Sequence, residues 1–411
     1  MKYNFDEPVN RRGTNCVKWD EPRSTDEGFQ MTDGESVIPL WVADMDFRVA
    51  PAIQKAVERR AAQGVFGYTL VPEAYYEAII SWFRRRHQWT IDRQDILYTI
   101  GVVPAITCAI KAICMPGEKV LVLTPVYNCF FSCIRNNGCE VLESPLQSQT
   151  SNLKPQTSNL RWAYTIDFDD VERKCSDVKT TALLLCNPHN PGGRLWTREE
   201  LERLNDICLR HGVRVISDEI HCEIVMPGYR FQPFAAVSEA CRDNSVICNS
   251  ASKSFNIAGL QTANIICHDA ALRRRIDRAI NIHEVCDLNS FGPEALIAAY
   301  NESEDWMNEL CLYLKGSYDA LCRFFAERLP QLKVMELEST YLAWVDIRAL
   351  GIGSDELADR LYREGKVWVS SGTIYSPTAG EGFIRINMAC PRALLMEGLE
   401  RIEKVVERIK K

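Results

Sequence analysis

Residues whose types and spacing can do chemistry cluster at the ends of short apolar runs. Lys253 stands in Ser250-Ala251-Ser252-Lys253-Ser254-Phe255-Asn256, where small hydroxyls able to hydrogen-bond a phosphate flank an amine. An ordinary exposed loop lysine has the same local sequence. Asp218 closes another apolar run, and a carboxylate buried there needs a cationic or hydrogen-bonding partner. A protonated pyridine nitrogen is one such partner. Asn187, at a third run end, is placed to donate to a phenolate oxygen, although Asn187-Pro188 and Gly192-Gly193 are also plain turn chemistry.

Three further positions extend this set. Gly101 and Val102 lie where a strand gives way to a helix, and backbone N–H groups at such a start can hold a phosphate dianion. A simply capped helix fits the same residues. Tyr127, after Thr124-Pro125, is placed to stack on an aromatic ring, or to fill core. Arg385 lies inside the apolar stretch Phe383-Ile384-Arg385-Ile386-Asn387. A buried arginine requires an anion: a substrate carboxylate gripped bidentately, or a structural salt bridge.

The elements that position these residues follow from the pattern. Apolar runs at Lys119 to Leu123, Thr181 to Cys186, Val213 to Ile216 and Val246 to Cys248 read as buried strands. Between them, Thr197 to His211 carries Leu201, Leu204, Ile207 and Cys208 on one helical face, with Gly212 as the stop. Alternating strands and helices predict an α/β fold with a mostly parallel, doubly wound sheet, whose ligands lie beyond the carboxyl ends of the strands. Long helices (Pro293 to Leu329, Ser354 to Glu364) and strands near Tyr341 to Asp346 and Phe383 to Asn387 then predict a smaller α+β domain. Leu146 to Arg161 repeats Gln-Thr-Ser-Asn-Leu and reads as a duplicated surface-loop insertion.

Composition narrows the function classes. With 48 Lys plus Arg against 55 Asp plus Glu, the net charge of −7 disfavours nucleic acid and anionic membranes as partners. Arg84-Arg85-Arg86 sits at an expected helix end, where cations complement the macrodipole. The seventeen cysteines are scattered through apolar stretches and predict buried thiols, and no Cys/His spacing suits zinc, so no metal is expected. Without an apolar leader or a span of about eighteen apolar residues, the sequence predicts a soluble, cytoplasmic protein.

Together, these residues resemble the fold-type I pyridoxal 5'-phosphate (PLP) enzymes, the aspartate-aminotransferase superfamily. The resemblance implies a PLP-binding large domain over residues 51–290, interrupted by the 146–161 insertion. It also implies a small domain formed by both chain ends, 1–50 and 291–411. Trp41-Val42-Ala43-Asp44-Met45-Asp46-Phe47, Phe66-Gly67-Tyr68-Thr69, Ser217-Asp218-Glu219-Ile220-His221 and Ser252 to Gln261 are similar to the MalY/PatB group of cystathionine and cysteine-S-conjugate β-lyases.

By that resemblance Lys253 is the catalytic Schiff-base lysine, Asp218 pairs with the pyridinium nitrogen, Asn187 with the phenolate, Tyr127 stacks, and Arg385 clamps the substrate carboxylate. Gly101, Val102, Ser250 and Ser252 hold the phosphate, and Tyr68 reaches the phosphate of a neighbouring subunit in a homodimer with shared active sites. The implied activity is a carbon–sulfur β-lyase converting an S-substituted cysteine, a small amino-acid substrate, to thiol, pyruvate and ammonia. An aminotransferase of class I/II is the alternative, and a fold with an added regulatory binding role is a third. His221 stands where many aminotransferases have tyrosine, and Gln261 where many have a phosphate-binding arginine.

Overall fold

The computed structural model describes residues 1–20, 37–151 and 161–409. Seven strands form the central sheet: β1 (Ile96–Thr99), β2 (Lys119–Thr124), β3 (Glu140–Pro145), β4 (Thr180–Cys186), β5 (Arg214–Asp218), β6 (Ser245–Asn249) and β7 (Ala263–Ile266). Their order is β1-β7-β6-β5-β4-β2-β3, and β7 alone runs antiparallel to both its neighbours. The apolar runs are two-sided, as a covered parallel sheet demands. Leu121, Leu183 and Val215 face one apolar layer, while Val120, Leu184 and Ile216 face the other. With alternate residues facing opposite apolar layers, the middle of each run is apolar and the polar residues sit at its ends.

Helices between the strands follow their caps. Helix Arg198–Arg210 begins at Thr197, whose Oγ accepts from the Glu200 N–H while the Glu200 carboxylate accepts from the Thr197 N–H. Such a reciprocal cap contributes on the order of 1 kcal/mol. The three arginines at 84–86 do end a helix, Glu73–His87, closed by Gln88 in the left-handed conformation. Helix Val102–Ile113 starts one residue after Gly101, directly beyond β1.

A second, four-stranded antiparallel sheet joins Lys333–Val334, Leu342–Asp346, Phe383–Asn387 and Ser370–Ser371 in that order. Residues near the N-terminus form a separate two-stranded sheet with this part of the chain, Ile38–Pro39 pairing in parallel with Val367–Trp368. Two expectations are corrected. The helix read as continuous from Pro293 to Leu329 is two helices, Gly292–Glu302 and Glu304–Arg328. They are broken at Ser303, whose hydroxyl donates to the Ala298 carbonyl. The Leu146 to Arg161 segment is not all loop, because Gln147–Ser151 and Arg161–Thr165 pair as antiparallel strands. Gln147-Ser148-Gln149-Thr150-Ser151 has no apolar residue to mark it as a strand, although its partner strand carries the buried Ala163 and Tyr164. The remainder of the repeat, 152–160, lies outside the described residues. All seventeen cysteines are free thiols, most of them buried, and among the described residues no helix is long and apolar enough to cross a membrane.

Candidate active site

Beyond the carboxyl ends of the central strands lies a cavity of about 400 Å³, within the usual range of roughly 300–1,000 Å³ for small-molecule sites. Gly101, Val102, Tyr127, Asp218, Ser252, Lys253 and Arg385 all line it. Three different strands, one helix start and the second sheet therefore converge on one space.

Lys253 follows β6 and is partly buried; its Nζ donates to the Ala43 carbonyl at 2.7 Å. Burial lowers its proton affinity, and Asp44 acts against that burial. Asp218 ends β5, and its Oδ1 accepts the Ile220 N–H at 3.1 Å. Burial pushes this carboxyl up to about 7, with the Ile220 N–H and Lys253 opposing. The adjacent Glu219 is pushed up to about 8 by burial, although Phe234 N–H and Ser217 Oγ donate to it. Two buried acids thus stand at the end of one strand with too little positive charge to keep them ionised.

Arg385 is 5% exposed and stands on an inner strand of the second sheet. Its Nη1 donates to Asn190 Oδ1 at 3.0 Å and its Nη2 to the Trp41 carbonyl at 2.8 Å. Its guanidinium carbon lies 4.8 Å from the Tyr375 ring centroid. Both oxygens are uncharged, and among the described residues the guanidinium has no carboxylate partner and a buried Nε without an acceptor. A fixed cation facing a cavity with only neutral partners is built for an anion that arrives from solution. His221 also lines the cavity. Burial, then Lys253 and Arg385, pushes it down to about 3, so the ring is neutral.

Three expected residues do not line this cavity. Asn187 is buried at the end of β4 but is not part of the cavity wall. Its Nδ2 donates to the Gln232 carbonyl at 3.1 Å, leaving Oδ1 without a partner. Ser250 lies behind the wall, its Oγ donating to the Thr262 carbonyl at 2.6 Å and accepting from the Ser252 N–H. Tyr68 is fully exposed, away from the cavity of its own chain.

Sequence reasoning missed Ala43, Asn190, Cys129 and Tyr375, which also line the cavity. Ala43 acts through a carbonyl, which leaves no side-chain signature. Asn190 was hidden in turn chemistry, and its signal was a second Asn-Pro step beside the first. A separate cavity of about 540 Å³ near Arg85, Arg86 and His87 differs in kind. There the Glu223 carboxylate is already engaged by Trp82, Arg86 and His87.

Comparison with known proteins agrees with this geometry. The chain is 40% identical to cystathionine beta-lyase PatB of Bacillus subtilis, over 97% of this chain and 99% of that protein. Among solved structures, cystalysin from Treponema denticola, which contains a PLP cofactor, matches with a TM-score of 0.91 at 32% identity, covering 99% and 100% of the two chains. The PLP-bound C–S lyase from Staphylococcus hominis matches with a TM-score of 0.90 at 32% identity, covering 99% and 98%. The sequence profile of aminotransferase class I and II matches residues 35–402, and the chain belongs to that family.

Proposed function

We propose that this chain is a PLP-dependent carbon–sulfur β-lyase that cleaves S-substituted cysteines to a thiol, pyruvate and ammonia. The observation that carries the reading is one cavity holding a partly buried lysine, an under-neutralised buried aspartate and an arginine with no carboxylate partner. The similarity to a named cystathionine β-lyase and to a PLP-bound C–S lyase supports it.

The residues present fit PLP. Asp218 lacks the cation that a pyridinium would supply, and the start of helix Val102–Ile113 opens on the same cavity as Ser252. Lys253 would hold the group covalently, Asp218 would pair with its ring nitrogen, and Tyr127 would cover its face. Gly101, Val102 and Ser252 would hold the phosphate directly. Ser250 would support the Ser252 N–H from behind, and Asn187 would approach the phenolate after its amide turns. When bound, PLP supplies an electron sink that makes the substrate Cα proton removable.

The chain's own residues do the rest. Arg385 binds the substrate carboxylate and so fixes the Cα–H bond relative to Lys253. Lys253 Nζ, whose proton affinity burial has lowered, takes the Cα proton as general base. The Cβ–S electron pair then leaves with sulfur as thiolate. His221 stands neutral in the same cavity wall.

The active form is a cytoplasmic homodimer. Val65, Phe66, Tyr68 and Leu70 are exposed together, an apolar stretch suited to a second copy. Tyr68 would reach the neighbouring subunit's phosphate site. Residues 51–290 form the large domain, and 1–50 with 291–411 the small one; the pairing of Ile38–Pro39 with Val367–Trp368 supports joining the chain ends. The test is to incubate PLP-loaded protein with L-cystathionine and no oxo acid. Sustained equimolar thiol and pyruvate release, absent in Lys253→Ala, is the expected result. Turnover only with an oxo-acid acceptor would move the assignment to aminotransferase.

A further inference from the structure

The segment Trp41 to Phe47, whose first three residues line the cavity, is a strap whose carbonyls from Trp41 to Met45 are held one after another by side chains from separate elements. Trp41 O accepts from Arg385 and Ser370, and Val42 O from Asn387. Ala43 O accepts from Lys253 at 2.7 Å and from the Tyr341 hydroxyl at 3.1 Å. Asp44 O accepts from Asn387 at 2.7 Å, and Met45 O from Arg11 and Asn256. The strap therefore touches the lysine, its loop, the arginine strand and the N-terminal segment.

On the far side of the strap, four charges are packed together. Arg11 reaches Asp44 Oδ2 at 2.6 Å and Asp46 Oδ1 at 2.7 Å. The fully buried Lys18 ammonium lies 2.8 Å from Asp46 Oδ2 and 3.6 Å from Asp44 Oδ1. Trp19 donates to Asp46 as well. Asp46 is thus saturated, whereas Asp44 Oδ1 is buried without a hydrogen bond. Asp44 directly follows the residue whose carbonyl holds Lys253.

We propose that Asp44, clamped by Arg11 and Lys18 of the N-terminal segment, is a positioning residue that sets the charge state and resting place of Lys253. The proposal rests on Lys253 being the cofactor-binding lysine. The two cations fix how much of the Asp44 charge is left to act toward the cavity, and the strap carbonyl fixes where the lysine nitrogen sits. Against burial and Arg385, which lower the proton affinity of Lys253, Asp44 and Asp218 both raise it. Burial and then Asp44 raise the proton affinity of Tyr341, whose hydroxyl shares the Ala43 carbonyl with Lys253. The other groups facing Lys253 are Arg385 from the second sheet, Asp218 and His221 after β5, and Cys129 at a helix start.

The clamp predicts opposite effects from its two halves. In PLP-loaded protein, the pH midpoint of the visible absorbance of the Lys253-bound cofactor reports the positive charge at that nitrogen. Asp44→Asn removes a stabilising anion and lowers this midpoint by about one pH unit; Arg11→Met leaves Asp44 less neutralised and raises it. Arg11→Lys restores the wild-type midpoint. In both shifted variants kcat falls by about tenfold while KM stays within about twofold, as expected for a residue acting through the base.

Unchanged midpoints, or shifts of one sign in both variants, overturn the proposal, as does mere loss of thermal stability at an unchanged midpoint. If Asp44→Asn does not load cofactor, the contrast between Arg11→Met and Arg11→Lys decides alone. Full turnover by Lys253→Ala would instead refute the functional reading itself.

Discussion

Replacing Asp218 with Asn should stabilise the cofactor-free protein while crippling the loaded enzyme. Burial raises this carboxyl from 3.8 to about 7. In the unfolded chain it ionises near 4, so between these values the folded state binds more protons than the unfolded one. Stability is then fully present below about pH 4 and is lost as pH rises toward 7. At about 1.4 kcal/mol per pH unit, the ionised aspartate costs the cofactor-free fold about 2 kcal/mol at pH 5.5 and about 4 kcal/mol at pH 8.5.

Asn has the shape of the neutral acid and carries no such penalty. Its stability advantage should grow from the lower figure to the higher across that range. The neighbouring Glu219, pushed up to about 8, gives both proteins a slope of the same sign and largely cancels in the difference. The assay is denaturant unfolding of cofactor-free wild type and Asp218→Asn at the two pH values. In the PLP-loaded enzyme the same change removes a charge-assisted bond, for about a 10- to 100-fold fall in kcat. A variant less stable than wild type at pH 8.5, or a gap independent of pH, would refute the reasoning.

Arg385→Lys keeps the charge but loses the fork that holds Asn190, Trp41 and a carboxylate together. One charge-assisted bond lost, about 1.5–3 kcal/mol, predicts a 10- to 100-fold drop in kcat/KM for S-alkyl cysteines; less than threefold would count against the clamp. The homodimer is tested by mixing Tyr68→Ala and Lys253→Ala subunits, each inactive alone. Random reassortment places both lesions in one site of each mixed dimer and restores about a quarter of the wild-type activity. No recovery after verified subunit exchange would place Tyr68 outside the partner's site.

The chemistry-bearing residues were legible because a parallel sheet sorts its sequence. Strands covered on both faces admit only apolar residues until they end, so Asp218, Asn187 and the lysine loop stand out where the runs stop. Arg385 stood out for the opposite reason, a charge inside an apolar strand. Capping and C-terminal glycine signals likewise marked the helix Arg198–Arg210 to within a residue. The break at Ser303 was not legible because both flanking helices keep a similar apolar content, and only packing decides where the chain turns.

The sequence by itself determined which residues are buried polar groups at strand ends, and hence that a lysine, an acid and an arginine demand partners. Local pattern and the cost of burying charge suffice for that. Only the tertiary structure decided that Asn187 and Ser250 stand behind the wall and Asn190 and Ala43 in it. Likewise, only the fold turned Arg11, Lys18, Asp44 and Asp46 into one cluster behind Lys253. Those outcomes depend on backbone carbonyls and on contacts between residues far apart in the chain, which leave no pattern in the order of side chains.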